Sequence, residues 1–138
     1  MWHKRFFDLA DLVGSWSKDP STQVGAVIVR PDRTIASVGY NGFPRGVQDV
    51  YTTREDKLLR TVHAEANAIL SANGDVQGCT LYVTPLHPCA NCAALIIQSG
   101  IKQVHYRIGM RGQAWLDHYE AMTSMFEQAG VKHTWHKI

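Results

Sequence analysis

Two short stretches constrain the fold of this chain more than anything else in it: His63-Ala64-Glu65 and Pro88-Cys89-Ala90-Asn91-Cys92. The first presents an imidazole and a carboxyl two residues apart, the second two thiols three residues apart. One imidazole and two thiols suit zinc, and a zinc ion with three protein ligands keeps a fourth position for water. His63, Cys89 and Cys92 are the candidate ligands, so the fold must bring the chain at 63 back against the chain at 89. An ion held in this way brings the pKa of water at its open position down to about 7.

Glu65 is the candidate catalytic residue. It is close in sequence to a ligand, is not needed as one, and can carry protons between water, a ring nitrogen and a leaving ammonia. Cys89 and Cys92, at i and i+3 of a helix start, share one face. The free N–H groups and dipole there favour thiolate over thiol. Pro88 suits that place because no backbone donor is needed. His63 and Glu65, at i and i+2, do not share a helix face, so both reach one cleft only if it lies across the first turn. Two other readings stay open. His87 as a fourth ligand would close the site into a structural zinc centre, and the Cys-x-x-Cys alone could be a redox pair, although neither gives Glu65 a role.

A length of 138 residues suits a single domain, 1–138. With 45% hydrophobic and 19% charged residues, the chain reads as globular. The net charge is +2 with Lys and Arg scattered, so no basic run tracks a nucleic-acid backbone and a small-molecule substrate is favoured. The beginning of the chain has early charge but no apolar core of a secretory signal. No apolar run is long enough to span a bilayer, which argues against a membrane partner. With Cys89 and Cys92 assigned to metal, Cys79 has no disulfide partner, and a reducing, cytoplasmic setting is expected.

Along the chain, Trp2, Phe6, Leu9, Val13 and Trp16 recur at helical spacing and predict an amphipathic helix on the core. Val24–Val29 reads as a buried strand, Pro31-Asp32-Arg33 as a turn, and Thr34–Tyr40 as the return strand of a hairpin. A short helix is expected over Arg54–Arg60, a helix from His63 to about Ala72, and a strand over Cys79–Thr84. A helix from Cys89 to about Ser99, closed by Gly100, leads to a strand over Ile101–Tyr106. A Gly-containing loop, 107–113, precedes a last helix over Ala114–Gln128 and a last strand over Val131–Trp135. Trp115, Leu116, Met122 and Phe126 in that helix serve equally as core or as contacts to a neighbouring subunit. Strands alternating with helices predict an α/β domain with a partly parallel sheet and its site beyond strand carboxyl ends.

The pairing of H-x-E with P-C-x-x-C is the signature of zinc deaminases acting on nucleobases. Over nearly its whole length the sequence resembles the deoxycytidylate (dCMP) deaminases of the cytidine deaminase superfamily. The likeness runs through Ser17-Lys18-Asp19-Pro20, Gln23-Val24-Gly25-Ala26, Gly39-Tyr40-Asn41-Gly42 and His63-Ala64-Glu65 with Asn67-Ala68-Ile69. It continues through Gly78–Val83, Pro88–Cys92 and Leu95–Ile101. The zinc motifs belong to the whole superfamily, and Ser-Lys-Asp-Pro with Gly-Tyr-Asn-Gly narrows the likeness to the deoxycytidylate branch.

That resemblance implies a three-layer α-β-α fold with a mixed central sheet of about five strands flanked by helices. It implies conversion of dCMP and water to dUMP and ammonia, feeding thymidylate synthesis. His63, Cys89 and Cys92 would hold one Zn2+ per chain and Glu65 would shuttle protons. Asn41 would bond the sugar (its plain alternative is a turn residue at positive φ), and the Ala64 backbone would meet the base. Lys18 and Ser21 are the candidates for the 5′-phosphate, with Arg45, Arg60, Arg107 and Arg111 as further cations, including from a neighbouring subunit. Gly39, Tyr40, Asn41 and Gly42 imply allosteric control in a hexamer, with dCTP activating, dTTP inhibiting and Mg2+ accompanying the triphosphate. The segment 47–62, which helps shape an effector pocket, is shorter than in many relatives and lacks the extra Cys or His that gives some viral members a second zinc. Competing readings are a transfer-RNA adenosine deaminase, a free-cytidine deaminase (whose first ligand is usually Cys), and a non-catalytic sensor of dCTP or dTTP.

Overall fold

The computed structural model describes residues 1–108 and 113–137. Arg111 and most of the 107–113 loop lie outside the described residues. In chain order the elements are α1 (Trp2–Gly14), β1 (Gly25–Val29), β2 (Ile35–Tyr40), α2 (Arg54–Arg60), α3 (Ala64–Ser71), β3 (Thr80–Thr84), α4 (Ala90–Gln98), β4 (Gln103–Arg107), α5 (Gln113–Ala129) and β5 (Lys132–His136). The strands form one mixed sheet in the order β2-β1-β3-β4-β5. β1 runs antiparallel to β2 and to β3, while β3–β4 and β4–β5 are parallel. This is the expected three-layer α/β architecture.

The two faces of the sheet are covered unequally. Ala26, Ile28, Leu81, Val83, Val104 and Tyr106 point to one face, where Ala64 and Ala68 of α3, Ala93 and Ile96 of α4, and Met122 and Phe126 of α5 cover them. Met122 and Phe126 are therefore core of this chain. On the other face, among the described residues, α1 is the one helix that packs on Val27, Val29 and Tyr82, through Phe6, Phe7 and Ala10. Burying each phenyl ring contributes about 1.5–3 kcal/mol.

The buried stripe of α1 is Phe6, Phe7, Ala10, Val13 and Gly14, not the full expected series. Trp2 and Trp16 are 41% and 53% exposed. Trp2 lies at the overhanging start of α1, stacked on Phe6 and flanked by the Arg5 and Arg33 guanidinium groups at 4.6 and 4.9 Å. Trp16 falls beyond the last helical residue and packs edge-on to Tyr40. The helix can lie this close to the sheet because β1 begins with glycine: a Cβ on Gly25 would stand 1.9 Å from the Ala10 carbonyl oxygen.

Pairing Gly25 with both Tyr40 and Thr84 puts the start of β1 and the ends of β2 and β3 together. The loop before β1, Asn41 after β2 and the Pro85–Pro88 loop after β3 therefore gather at one end of the sheet. The remaining segment is tied down there by α2, which Thr53 caps at Asp56 N–H, and by a two-way bridge between Gly42 and Val62. No helix among the described residues is long and apolar enough to cross a membrane.

Candidate active site

His63 and Cys89 occupy equivalent places in two successive helices. Each is the N-cap, with extended backbone: His63 at φ −72°, ψ 156° before α3, and Cys89 at φ −73°, ψ 169° before α4. Cys89 Sγ accepts the Cys92 N–H at 3.4 Å, replacing the hydroxyl or carboxyl that usually caps a helix. The Ala90 N–H is taken by His118 Nδ1 of α5 at 2.9 Å. Both helices thus point their N-terminal ends at the same space, which the i, i+2 spacing of His63 and Glu65 requires.

His63 Nδ1 lies 3.4 Å from Cys89 Sγ and 3.3 Å from Cys92 Sγ, and the two cysteines are 5% and 3% exposed. Ligands around a tetrahedral zinc, with Zn–N near 2.05 and Zn–S near 2.3 Å, stand about 3.6 Å apart. The donor chemistry and spacing therefore fit a zinc ion. His87 is not part of this cluster. Its Nδ1 is engaged with the Pro88 carbonyl at 2.9 Å, and its ring meets Trp115 edge-on at 5.0 Å. Nothing in the geometry supports the closed structural centre.

The electrostatics suit a cation. The Cys89 thiol is pushed down to about 4, because the Cys92 thiol, His63 and the Cys92 N–H all bond its thiolate against the cost of burial. Cys92 is pushed up in turn by that thiolate, burial and Glu65. His63 is raised, chiefly by Cys89. Glu65 is 4% exposed, and burial, helped by the Cys89 charge, raises its carboxyl to about 7. Among the described residues no side chain donates a hydrogen bond to it.

His63, Glu65 and Cys89 line a cavity of about 130 Å³ together with Ser21, Thr22, Val24, Asn41, Arg54, Lys57, Leu86 and Trp115. Asn41 is buried in its wall, at ordinary negative φ, so the turn alternative does not apply. Its Oδ1 accepts the Val24 N–H and its Nδ2 donates to the Thr22 carbonyl. Ala64 and Ser21 also line the cavity. Lys18 does not: it pairs with Asp49 at 3.3 Å in an adjoining recess. Arg107 lies on the α1 face, bonded to Asp11 and Thr84, and Arg60 is paired with Asp56. Arg45 is exposed. Arg54, Lys57, Leu86 and the capping His118 were not singled out from the sequence, and Trp115 was read there as core or subunit contact, not as cavity wall; only the basic character of Arg54 and Lys57 gave any signal.

Gly39, Tyr40 and Gly42 each have a structural task here. A Cβ on Gly39 would stand 2.4 Å from Ala68 N and 2.5 Å from the Ala64 carbonyl oxygen, so glycine lets α3 press onto β2. The Tyr40 carbonyl accepts from Asn67 Nδ2 at 2.7 Å, and Gly42 pairs with Val62.

A family model of the cytidine and deoxycytidylate deaminase zinc-binding region matches residues 1–108. This chain belongs to the cytidine and deoxycytidylate deaminase family. Within that family it is 54% identical over 138 residues to an uncharacterized deaminase in the luxG 3′ region of Aliivibrio fischeri, covering 97% of this chain and 92% of the relative. It is 42% identical over 139 residues to human deoxycytidylate deaminase, covering 94% and 76%. The crystal structure of dCMP deaminase from the cyanophage S-TIM5 with dCMP and dUMP superposes at a TM-score of 0.78 with 26% identity, covering 96% and 95%. Deaminase-family members of this kind are hydrolases, and the zinc-binding region of the family is where His63, Cys89 and Cys92 converge.

Proposed function

We propose that this deaminase converts dCMP and water to dUMP and ammonia, using one zinc ion held by His63, Cys89 and Cys92. The observation that carries the reading is the buried Glu65 carboxyl in the wall of the cavity that His63 and Cys89 of the three-donor cluster also line. Glu65 takes a proton from the attacking water and delivers it to the ring nitrogen next to the amino-bearing carbon. It then takes the proton left on the added hydroxyl and passes it to the amino group, so that the C–N bond breaks, ammonia leaves and the carbon keeps the new carbonyl. Val24 and Leu86 supply apolar wall for the base, the Ala64 backbone meets its edge, and Asn41 faces the sugar.

For the 5′-phosphate we assign Ser21 and Arg54, with the Lys57 ammonium behind them. Arg54 lines the cavity and, among the described residues, forms no ion pair. Control by dCTP and dTTP, with Mg2+ on the triphosphate, is assigned to the Gly39–Gly42 stretch and the recess lined by Lys18, Phe43, Asp49 and Tyr51. That recess shares Asp19, Lys57 and Thr61 with the catalytic cavity, which gives a bound effector a direct way to alter it. A hexameric, cytoplasmic enzyme supplying dUMP for thymidylate synthesis completes the reading.

Side-by-side turnover of dCMP, dCTP, cytidine and an adenosine stem-loop RNA tests it. Preference for dCMP over cytidine of about 100-fold or more is expected, since each hydrogen bond to a charged phosphate contributes about 1.5–3 kcal/mol. Turnover of the stem-loop alone, or of cytidine as readily as dCMP, contradicts the assignment.

A further inference from the structure

On the face of the sheet opposite α3 and α4, three histidines from three elements meet. His3 is in the first turn of α1, His105 is at the centre of β4, and His136 ends β5. Their ring centroids are 4.3 Å apart for His3–His105, 5.1 Å for His3–His136 and 5.0 Å for His105–His136. One ring nitrogen from each lies within 4.8 Å of those of the other two, and His105 Nδ1 is 2.8 Å from His136 Nε2.

We propose that His3, His105 and His136 form a second metal site, for a divalent transition-metal ion such as zinc, separate from the deaminase centre.

The neighbours of the three rings support ligation. His3 Nδ1 is held by the Tyr82 hydroxyl at 2.6 Å, which leaves its Nε2 free. His105 Nε2 is held by the Gln103 side-chain amide at 3.0 Å, which leaves its Nδ1 facing His136. The amide can turn its oxygen to an Nε2–H, so Gln103 accommodates the tautomer of His105 that ligates through Nδ1. Holding the second ring nitrogen in this way is how proteins orient metal-binding imidazoles.

Charge points the same way. His105 is 3% exposed, and among the described residues no carboxylate bonds or pairs with any of the three rings. An imidazolium buried there would be uncompensated, so His105 is neutral and its lone pair is available. Three neutral rings alone can satisfy only some of their inward lone pairs by N–H···N bonds; a cation satisfies all three. An all-imidazole set selects zinc, copper or nickel over magnesium or calcium. His3 is exposed, so water can complete the coordination. The ion would tie the start of α1 to β5, which is an edge strand with β4 as its one neighbour.

The test uses protein whose deaminase centre is already filled with zinc, titrated calorimetrically with further Zn2+ and then counted for metal after dialysis. A second zinc per chain is expected. His3→Ala and His136→Ala should each weaken it at least ~10-fold, and Tyr82→Phe about 10–100-fold, the scale of losing a group that orients a ligand. The first zinc and deaminase turnover should be unchanged in all three. Cu2+ added to the zinc-filled protein should give an electron paramagnetic resonance spectrum with nitrogen couplings that vanish in the double variant His3→Ala/His136→Ala. Uptake that stops at one zinc per chain overturns the proposal. So does a second zinc bound equally well by the double variant, with its fold checked by circular dichroism. Deaminase activity is scored separately, so loss of one assignment leaves the other standing.

Discussion

Lys57 Nζ donates to Asp19 Oδ1 at 2.8 Å, and the two side chains are 7% and 11% exposed. Asp19 Oδ1 also accepts the N–H groups of Ser21 and Thr22, and Asp19 Oδ2 faces Asn41 Nδ2. This one ion pair, between α2 and the loop before β1, therefore sets the shape of the wall on which Ser21, Thr22 and Asn41 stand. Removing one partner leaves a buried charge without compensation, which costs about 3–5 kcal/mol. Lys57→Met should lower the urea midpoint accordingly and raise the KM for substrate more than it lowers kcat. Equilibrium unfolding and steady-state kinetics on the same preparation check both.

Acid should unmask the same pair. Burial alone would raise the Asp19 carboxyl, but Lys57 and the Thr22 and Ser21 N–H groups outweigh it and hold it below its ordinary 3.8. Below that value the unfolded chain binds more protons than the folded one, so this contribution is present above about pH 4 and is lost as pH falls through the native pKa. Asp19→Asn should be less stable than the wild type at neutral pH and lose less stability between about pH 5 and pH 2. Urea midpoints measured across that range read the difference.

Glu65→Gln keeps the shape of the side chain and removes its ability to exchange protons. Zinc content should stay at the wild-type level while turnover falls at least ~100-fold. Cys89→Ser and Cys92→Ser should instead lose the zinc, as metal analysis of purified protein will report. Turnover of Glu65→Gln equal to wild type would remove Glu65 from the chemistry.

Gly39→Ala tests packing at the stretch assigned to regulation. The new methyl has no room against Ala64 and Ala68, so α3 must shift, at a cost of about 1–3 kcal/mol. Because α3 carries Glu65 and is capped by His63, basal turnover should fall with stability. A variant with full basal activity and altered response to dCTP would assign Gly39 to effector control instead of packing.

The helices and strands were legible wherever one face of an element is buried, because periodicity reports burial directly. All five strands and the helices over 54–60, 64–71 and 90–98 stand within two residues of expectation. Trp2 and Trp16 misled for a local reason: they keep the helical period but lie at or past the ends of α1, beyond the sheet that would cover them. The convergence of His63, Cys89 and Cys92 could be anticipated because chemistry demands it. Lys57–Asp19, the His118 cap on Ala90 and the meeting of His3, His105 and His136 could not. Each joins residues far apart in the chain through register and crossover, and no local pattern in the sequence records them. Lys18 illustrates the converse: it stands in the loop before β1, as its place in the chain suggests, yet its side chain pairs with Asp49 in the adjoining recess.

The most direct measurement is ultraviolet monitoring of dCMP conversion by purified protein carrying zinc at His63, Cys89 and Cys92. Stoichiometric formation of dUMP and ammonia, abolished by chelation and restored by zinc, is expected at about 1–1,000 per second, the ordinary range for enzymes. A zinc-loaded protein that leaves dCMP intact would contradict the proposed reaction.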